Sequence, residues 1–167
     1  MDTLREIEQR CMAHRFAAEY YSAVDTGLKL TTTVVSAISA SASYWAAFNA
    51  VPIVSYVLAG TSTIGTILNA VISLKRYDSE ASKHTRVAQQ LEDVRIQCVA
   101  EILKGFASDD LKNAFIQKIK IDISAVLQDA PMLETKFESK AASDLQHRDS
   151  KNLAIPASPK IVELKNI

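Results

Sequence analysis

From Leu30 to Leu74 the chain carries no Asp, Glu, Lys, Arg or His, a run of 45 residues. Elsewhere ionisable groups are frequent, with Lys plus Arg at 19 and Asp plus Glu at 19 over 167 residues. Scattered at random, they would leave such a gap with a probability on the order of 10⁻⁶ per starting position. The length is as informative as the composition. Two helices of ~20 residues each cross the ~30 Å hydrocarbon layer of a bilayer, with a few residues left to turn around. Asn49-Ala50-Val51-Pro52 supplies that turn, because Pro disfavours helix in the residue before it and suits a helix start. The expected fold is an all-α membrane protein, a two-helix transmembrane hairpin with spans of about 30–49 and 52–74, extended by long cytoplasmic helices.

The flanks orient the hairpin. Lys29 precedes the block and Lys75-Arg76 follow it, while the turn is uncharged. The positive-inside rule then puts the hairpin in the inner (plasma) membrane with both termini cytoplasmic. Aromatic residues fall where interfaces belong: Tyr44, Trp45, Phe48 and Tyr56 around the turn, Tyr20, Tyr21 and Tyr77 on the other side. A secretory signal is excluded by the length of the block and by the charged, amphipathic sequence ahead of it. The alternative is a soluble hairpin buried in a bundle. The 13 Ser or Thr and two Asn within the block favour it; the absence of charge opposes it, because a buried soluble helix nearly always carries charges along one edge.

The hydroxyls are ordered. At ~100° per residue, Thr32, Ser36, Ser39 and Ser43 share one face of the first span, opposite Val34, Ile38, Trp45 and Phe48. In the second span Ser55, Ser62, Thr66, Asn69 and Ser73 share a face, with Val57, Ile64, Leu68 and Val71 across from them. Such stripes serve close helix packing, or line water in a homo-oligomer.

The rest of the chain divides by pattern. Residues 1–29 form an N-terminal amphipathic helix with a Thr3/Glu6 capping box and a stripe of Leu4, Ile7, Cys11, Ala18 and Tyr21. Residues 75–105 continue the second span as one long helix ending at Gly105, striped by Leu74, Tyr77, Ala81, His84, Ala88, Leu91, Cys98 and Ile102. These two extensions should pack as an antiparallel pair. In 106–149, Ser108-Asp109-Asp110 caps a helix of about 109–129 whose apolar face is Leu111, Phe115, Ile119, Ile123, Val126 and Leu127; Pro131 interrupts, and 132–148 form a short polar helix. Residues 150–167, with Pro156 and Pro159, are expected to be an extended tail in which Ile161-Val162-Glu163-Leu164 adds a strand to a partner.

Little of this is chemistry. Zero net charge argues against binding a nucleic-acid polymer through a basic surface, and four glycines leave no phosphate-cradling loop. Two cysteines make neither a disulfide scaffold nor a four-ligand zinc site; Cys11 and Cys98 are expected to be reduced core residues. His14 lies 16 residues before Leu30 and His84 10 after Leu74, so measured from the block's edges their depths differ by about 9 Å and they should not meet. No nucleophile–base arrangement or paired-carboxylate cleft stands out. No catalytic residue, cofactor or metal is expected.

The architecture resembles the SLATT domain, a two-transmembrane effector family associated with bacterial nucleotide-producing and nucleotide-sensing proteins. The residues that carry the resemblance are Tyr77, then Ala81, His84, Ala88 and Leu91, with His14 and Tyr20-Tyr21 ahead of the first span; it covers roughly residues 10–105. It implies a membrane effector of an antiphage conflict system, oligomerising to permeabilise the inner membrane when an upstream sensor or nucleotide second messenger triggers it. The competing expectation is a membrane-tethered adaptor whose cytoplasmic helices recruit a partner; a constitutive small channel is the third. Lys83, Arg86 and Arg95 are candidates for a nucleotide pocket between subunits or for a solvated helix face.

Overall fold

The computed structural model describes residues 2–48 and 52–153, and every regular element in them is an α-helix. Helix α1 runs unbroken from Asp2 to Phe48, α2 from Pro52 to Lys75, α3 from Tyr77 to Lys104, α4 from Asp109 to Gln128 and α5 from Thr135 to Leu153. Thr3 stands inside α1 rather than ahead of it, so the expected capping box does not start this helix, and Glu6 instead binds Arg10 one turn on. Pro52 opens α2, the first helical position where its missing N–H costs nothing. The turn residues 49–51, the side chain of Phe48 and the tail from 154, with its expected strand at Ile161–Leu164, lie outside the described residues.

The expected single helix through 52–104 is in fact two. Arg76 takes a left-handed conformation (φ 45°, ψ 46°) between α2 and α3. The backbone bonding carries on across it: Arg76 N–H donates to the Ile72 carbonyl (3.2 Å) and Glu80 N–H to the Arg76 carbonyl (3.1 Å). One non-glycine residue in this region costs roughly 1–2 kcal/mol. The break is thus a hinge one residue wide. The chain also remains helical past Ser150, to Leu153, where the extended tail was expected to have begun.

Helix α1 is a shared spine. Its second half packs antiparallel to α2: Ser39 meets Thr61 and Val35 meets Gly65, pairs symmetric about residue 50. Its first half packs antiparallel to α3, with Cys11 against Ala88 and Glu8 against Arg95. Helix α4 closes over this pair, adding Ile119 and Ile123 to a core of Ile7, Cys11, Val87, Ala88, Leu91, Val94 and Cys98. Ser108 caps α4 by accepting the Leu111 N–H. Helix α5 covers the other side of α1, where Ala13 and Ala17 give room for Phe137 and Ala141. Ion pairs Arg148–Glu8 (2.9 Å) and Arg5–Asp149 (3.3 Å) fasten its end.

These contacts divide the described molecule into a four-helix body, a neck where α1 meets the start of α3 beside Glu134 and Phe137, and the α1/α2 hairpin. Among the described residues the hairpin buries none, and its outward side chains include Leu30, Val34, Ile38, Trp45, Ile53 and Ile64. In the neck, the nearly buried Asp25 is paired with Lys29 at 2.6 Å.

Burial on α4 can be tested with two isoleucines on one helix. Ile119 is 1% exposed and Ile121 67%. Ile119→Ala should cost about 2–5 kcal/mol of stability, and Ile121→Ala no more than about 0.5 kcal/mol. Denaturant unfolding of the full chain in detergent micelles checks both; equal losses would mean that α4 is not docked this way.

Candidate functional site

The uncharged hairpin solves its polar problem locally. Thr31, Thr32 and Thr33 donate to the carbonyls of Gly27, Leu28 and Lys29, and Ser41, Ser43, Thr63 and Thr66 do the same four residues back, at 2.8–2.9 Å. A hydroxyl satisfied within its own turn asks nothing of its surroundings. One side-chain bond crosses between the helices: Ser39 Oγ donates to Thr61 Oγ1 at 2.6 Å, and Thr61 in turn donates to the Val57 carbonyl at 2.9 Å.

The seam around that bond uses part of the sequence pattern. On α1 it comprises Thr32, Val35, Ser39 and Ala42, and on α2 Leu58, Thr61, Gly65, Leu68 and Ile72, all half-buried. Thr32 and Ser39 of the first stripe therefore lie on the seam, while Ser36 and Ser43 are exposed. Ser55, Ser62, Thr66, Asn69 and Ser73 are all exposed and face away from α1. Leu68 and Val71, expected on the outward face of the second span, are half-buried; Val57 and Ile64 are exposed. Thr61 was missed because it sits one residue before Ser62. Its signal was the 3–4 alternation of positions 58, 61, 65, 68 and 72.

Where the neck joins the body, the structure corrects the histidine expectation. His14 Nδ1 lies 2.8 Å from His84 Nδ1, and each residue is 1% exposed. Depth had been measured from the edges of the uncharged block, which are unequally distant from the turn. The helices pair about residue 50, and from there the two histidines differ by two residues, about 3 Å. Tyr21 stacks on the His84 ring (centroids 5.5 Å apart, 18° between planes) and on Tyr77 (6.1 Å, 22°), and its hydroxyl donates to Glu134 at 2.9 Å.

Burial dominates the electrostatics here. It lowers His14 to about 4, with His84 and Arg10 adding to the effect. Burial lowers His84 as well; Glu80 opposes that shift and Lys83 adds to it. Tyr21 is pushed up to about 12 by burial and by its bond to Glu134. Both imidazoles are therefore neutral near pH 7, one donating an Nδ1–H to the other's lone pair. Of the motif residues, Ala81, His84, Ala88 and Leu91 are buried toward α1 and Tyr77 is half-buried in the stack.

The remaining candidates lie in the body. Cys11 and Cys98 are free and buried in the body core. The Cys11 thiol donates to the Ala88 carbonyl (3.4 Å) and to Glu92 (3.7 Å), and burial raises its pKa, the reverse of what a reactive thiolate needs. Arg95 is engaged by Glu92 (2.6 Å) and Glu8 (3.5 Å). Lys83 and Arg86 line a cavity of about 300 Å³ with Gln90 and Asp129. No group of three or more His, Cys, Asp or Glu able to hold a metal occurs among the described residues.

By length and composition, the helical run that starts at Pro52 is apolar enough to cross a membrane; its most apolar window has a mean hydropathy of 1.6, none of it buried. The uncharged half of α1 is diluted by its hydroxyls and does not reach that threshold. Among known proteins, a family model described as SMODS and SLOG-associating 2TM effector domain family 4 matches residues 9–153, which include the histidine junction, the hairpin and most of the body. No curated protein and no solved structure matches the chain.

Two measurements follow from this geometry. A double-mutant cycle with Ser39→Ala and Thr61→Val should give a coupling of about 0.6 kcal/mol, the usual size of an interhelical hydroxyl bond in a membrane setting; additive losses would place the two hydroxyls apart. The histidines make stability depend on pH. Their folded values lie below the unfolded value of ~6.5, so the contribution is complete above pH ~6.5 and is lost as pH falls toward ~4, by about 3 kcal/mol for His14. Unfolding of the full chain across that range should show the decline, and His14→Gln should flatten it. An equal slope in the variant would remove His14 as its source.

Proposed function

Because the chain belongs to SMODS and SLOG-associating 2TM effector domain family 4, we propose that it is a membrane effector of a bacterial conflict system. In this reading the α1/α2 hairpin spans the inner membrane with both termini in the cytoplasm, and copies of it oligomerise to permeabilise the bilayer. An upstream sensor or a nucleotide signal triggers that step. The observation that carries the reading is the contrast between the two halves of α1. The half before Lys29 is charged and packed into a body; the half after it is uncharged and, among the described residues, contributes no buried one.

Physical chemistry supports the assignment in three ways. A hairpin in which hydroxyls such as those of Thr31, Thr32, Thr33, Ser41, Ser43, Thr63 and Thr66 are bonded within their own helix is the kind of segment hydrocarbon accepts. Lys29, Lys75 and Arg76 at its base favour the cytoplasmic side. The exposed stripe of Ser55, Ser62, Thr66, Asn69 and Ser73, with Ser36 and Ser43 on α1, gives each hairpin polar surface beyond what its own seam uses. In a bilayer that surface would pack against neighbouring copies or border water, and without a charged ring a path so lined would select weakly among ions.

One observation favours the membrane-tethered adaptor as a second reading. At the end of the body farthest from the hairpin, Leu4, Cys98, Ile102, Phe106, Phe115 and Ile116 line an open, mainly apolar groove of about 700 Å³. A groove of that kind suits a partner's apolar side chain.

Membrane potential separates the two. Cells expressing the full chain from a tightly controlled promoter should depolarise within minutes of its overproduction or of the arrival of its trigger, reported by a voltage-sensitive dye. Replacing Ser36, Ser39 and Ser43 together by Leu should abolish depolarisation at equal membrane abundance. A triple variant that inserts and still depolarises the cell would remove these hydroxyls from the lesion. Wild-type protein that inserts, meets its trigger and leaves the potential intact would favour the adaptor.

A further inference from the structure

The buried histidine pair has a consequence for how body and hairpin communicate. Beyond the pair, toward the hairpin, Tyr20 and Tyr21 still touch Phe137 and Glu134 at the start of α5, and α3 begins at Tyr77, seven residues from His84, next to the left-handed Arg76. The clamp on the neck is a short aromatic column in which Tyr77, Tyr21, His84 and His14 follow one another across the α1–α3 contact. Building on the membrane reading above, we propose that the His14–His84 contact is a proton-operated latch: uncharged it holds α1 to α3 at the top of the neck, and fully protonated it releases them.

The proton accounting defines the two states. In the neutral pair one ring donates Nδ1–H to the Nδ1 lone pair of the other, and the donor's Nε2 carries no hydrogen. A first proton from solvent adds to that Nε2. The Nδ1–H···Nδ1 bond survives, but the pair now carries a positive charge at a buried position. A second proton takes the acceptor's Nδ1 lone pair. The hydrogen bond is then gone, and two N–H groups and two positive charges oppose each other at a distance that had been 2.8 Å.

The neighbours do not neutralise that charge. On α1, Arg10 bears on His14 and repels it further, and Tyr21 offers the face of its ring, its hydroxyl being given to Glu134 ahead of α5. On α3, Glu80 favours a charged His84, but its carboxylate is held by Lys83 at 2.7 Å, and Lys83 acts in the opposite sense. Tyr77 extends the stack without facing the nitrogens. Among the described residues no carboxylate hydrogen-bonds either ring. Separation is therefore the route by which the charged rings regain solvation, and the one-residue hinge lets α3 move without unwinding α2.

Hydrogen–deuterium exchange of the full chain in detergent micelles, corrected for intrinsic rates, tests the latch. Between about pH 7 and about pH 4, protection across residues 10–20 and 80–90 should fall at least about tenfold in the wild type. His14→Gln and His84→Gln each keep a neutral hydrogen-bonding group and every carboxylate, and should change by less than about twofold. No loss in the wild type, or the same loss in both Gln variants, overturns the proposal. If the variants fold poorly, ¹⁵N spectra of the histidines in the unmutated chain decide: both rings must become imidazolium in step with the loss of protection, and charged rings under intact protection overturn it. The same acid step on vesicles holding the chain tests the membrane reading separately. Neck opening without dye release keeps the latch and removes the permeabilising hairpin.

Discussion

The antiparallel register of α1 against the α2–α3 run is the constraint on which the rest of the molecule depends. Once the chain turns near residue 50, partner positions along the spine follow. Ser39 meets Thr61, Val35 meets Gly65, Tyr21 meets Tyr77, His14 meets His84 and Glu8 meets Arg95. A slip of one residue rotates a helix by ~100° and would take every one of these pairs apart. No single contact sets the register. Val35 faces Gly65 in the hairpin, the aromatic column fills the neck, and Ile7, Leu91 and Val94 interlock in the body. Helix α4 docks onto a groove that exists only when that register is right, and α5 onto the alanine face of α1 behind it.

The elements were legible because they rest on local signals: the charge-free run, Pro52 as a helix start, Gly105 as a stop and Ser108 as a cap. Less legible was what depends on two segments at once. Ala13 and Ala17 are nearly fully buried, yet alanine reads the same on any face of a helix, and the Phe137 that fills the space beside them is more than a hundred residues away. Val87 and Val94 were outside the expected stripe of α3 because that stripe allowed one partner, whereas α3 has two, α1 and α4. The left-handed Arg76 had no signal at all. Left-handed helix ends usually carry Gly or Asn, and here an exposed arginine takes that conformation. The histidine contact was missed for a geometric reason, since hydropathy edges are poor origins for measuring depth and the turn is the correct one.

Body and hairpin obey different solvents' rules. The body is amphipathic in the ordinary way, with a core of Ile, Leu, Val and Cys and ion pairs such as Glu92–Arg95 and Glu8–Arg148 at its margins. Those pairs are largely solvated and contribute little singly. The hairpin departs from that arrangement: large apolar side chains such as Leu30, Val34, Ile38, Trp45, Ile53 and Ile64 point outward, while its seam mixes Thr32, Ser39, Thr61, Ala42 and Gly65 with Val35, Leu58, Leu68 and Ile72. Water would penalise such a surface and would drive hairpins together non-specifically. A bilayer removes that penalty, leaving close packing and a few hydroxyl bonds to choose between partners.

The two regions are joined asymmetrically. Helix α1 passes from body to hairpin without a break, so its two halves tilt and rotate together. The return path is interrupted at Arg76, where one left-handed residue changes the course of the chain between two backbone bonds, Arg76 to Ile72 and Glu80 to Arg76. A displacement of α1 is therefore the one that the unbroken helix carries directly to the hairpin. Body elements that grip α1 rather than α3, α5 above all, are then the ones positioned to act on the hairpin. The histidine contact lies where α1 and α3 must agree, so whatever loosens it loosens the spine's hold on the helix that leads back to the hairpin.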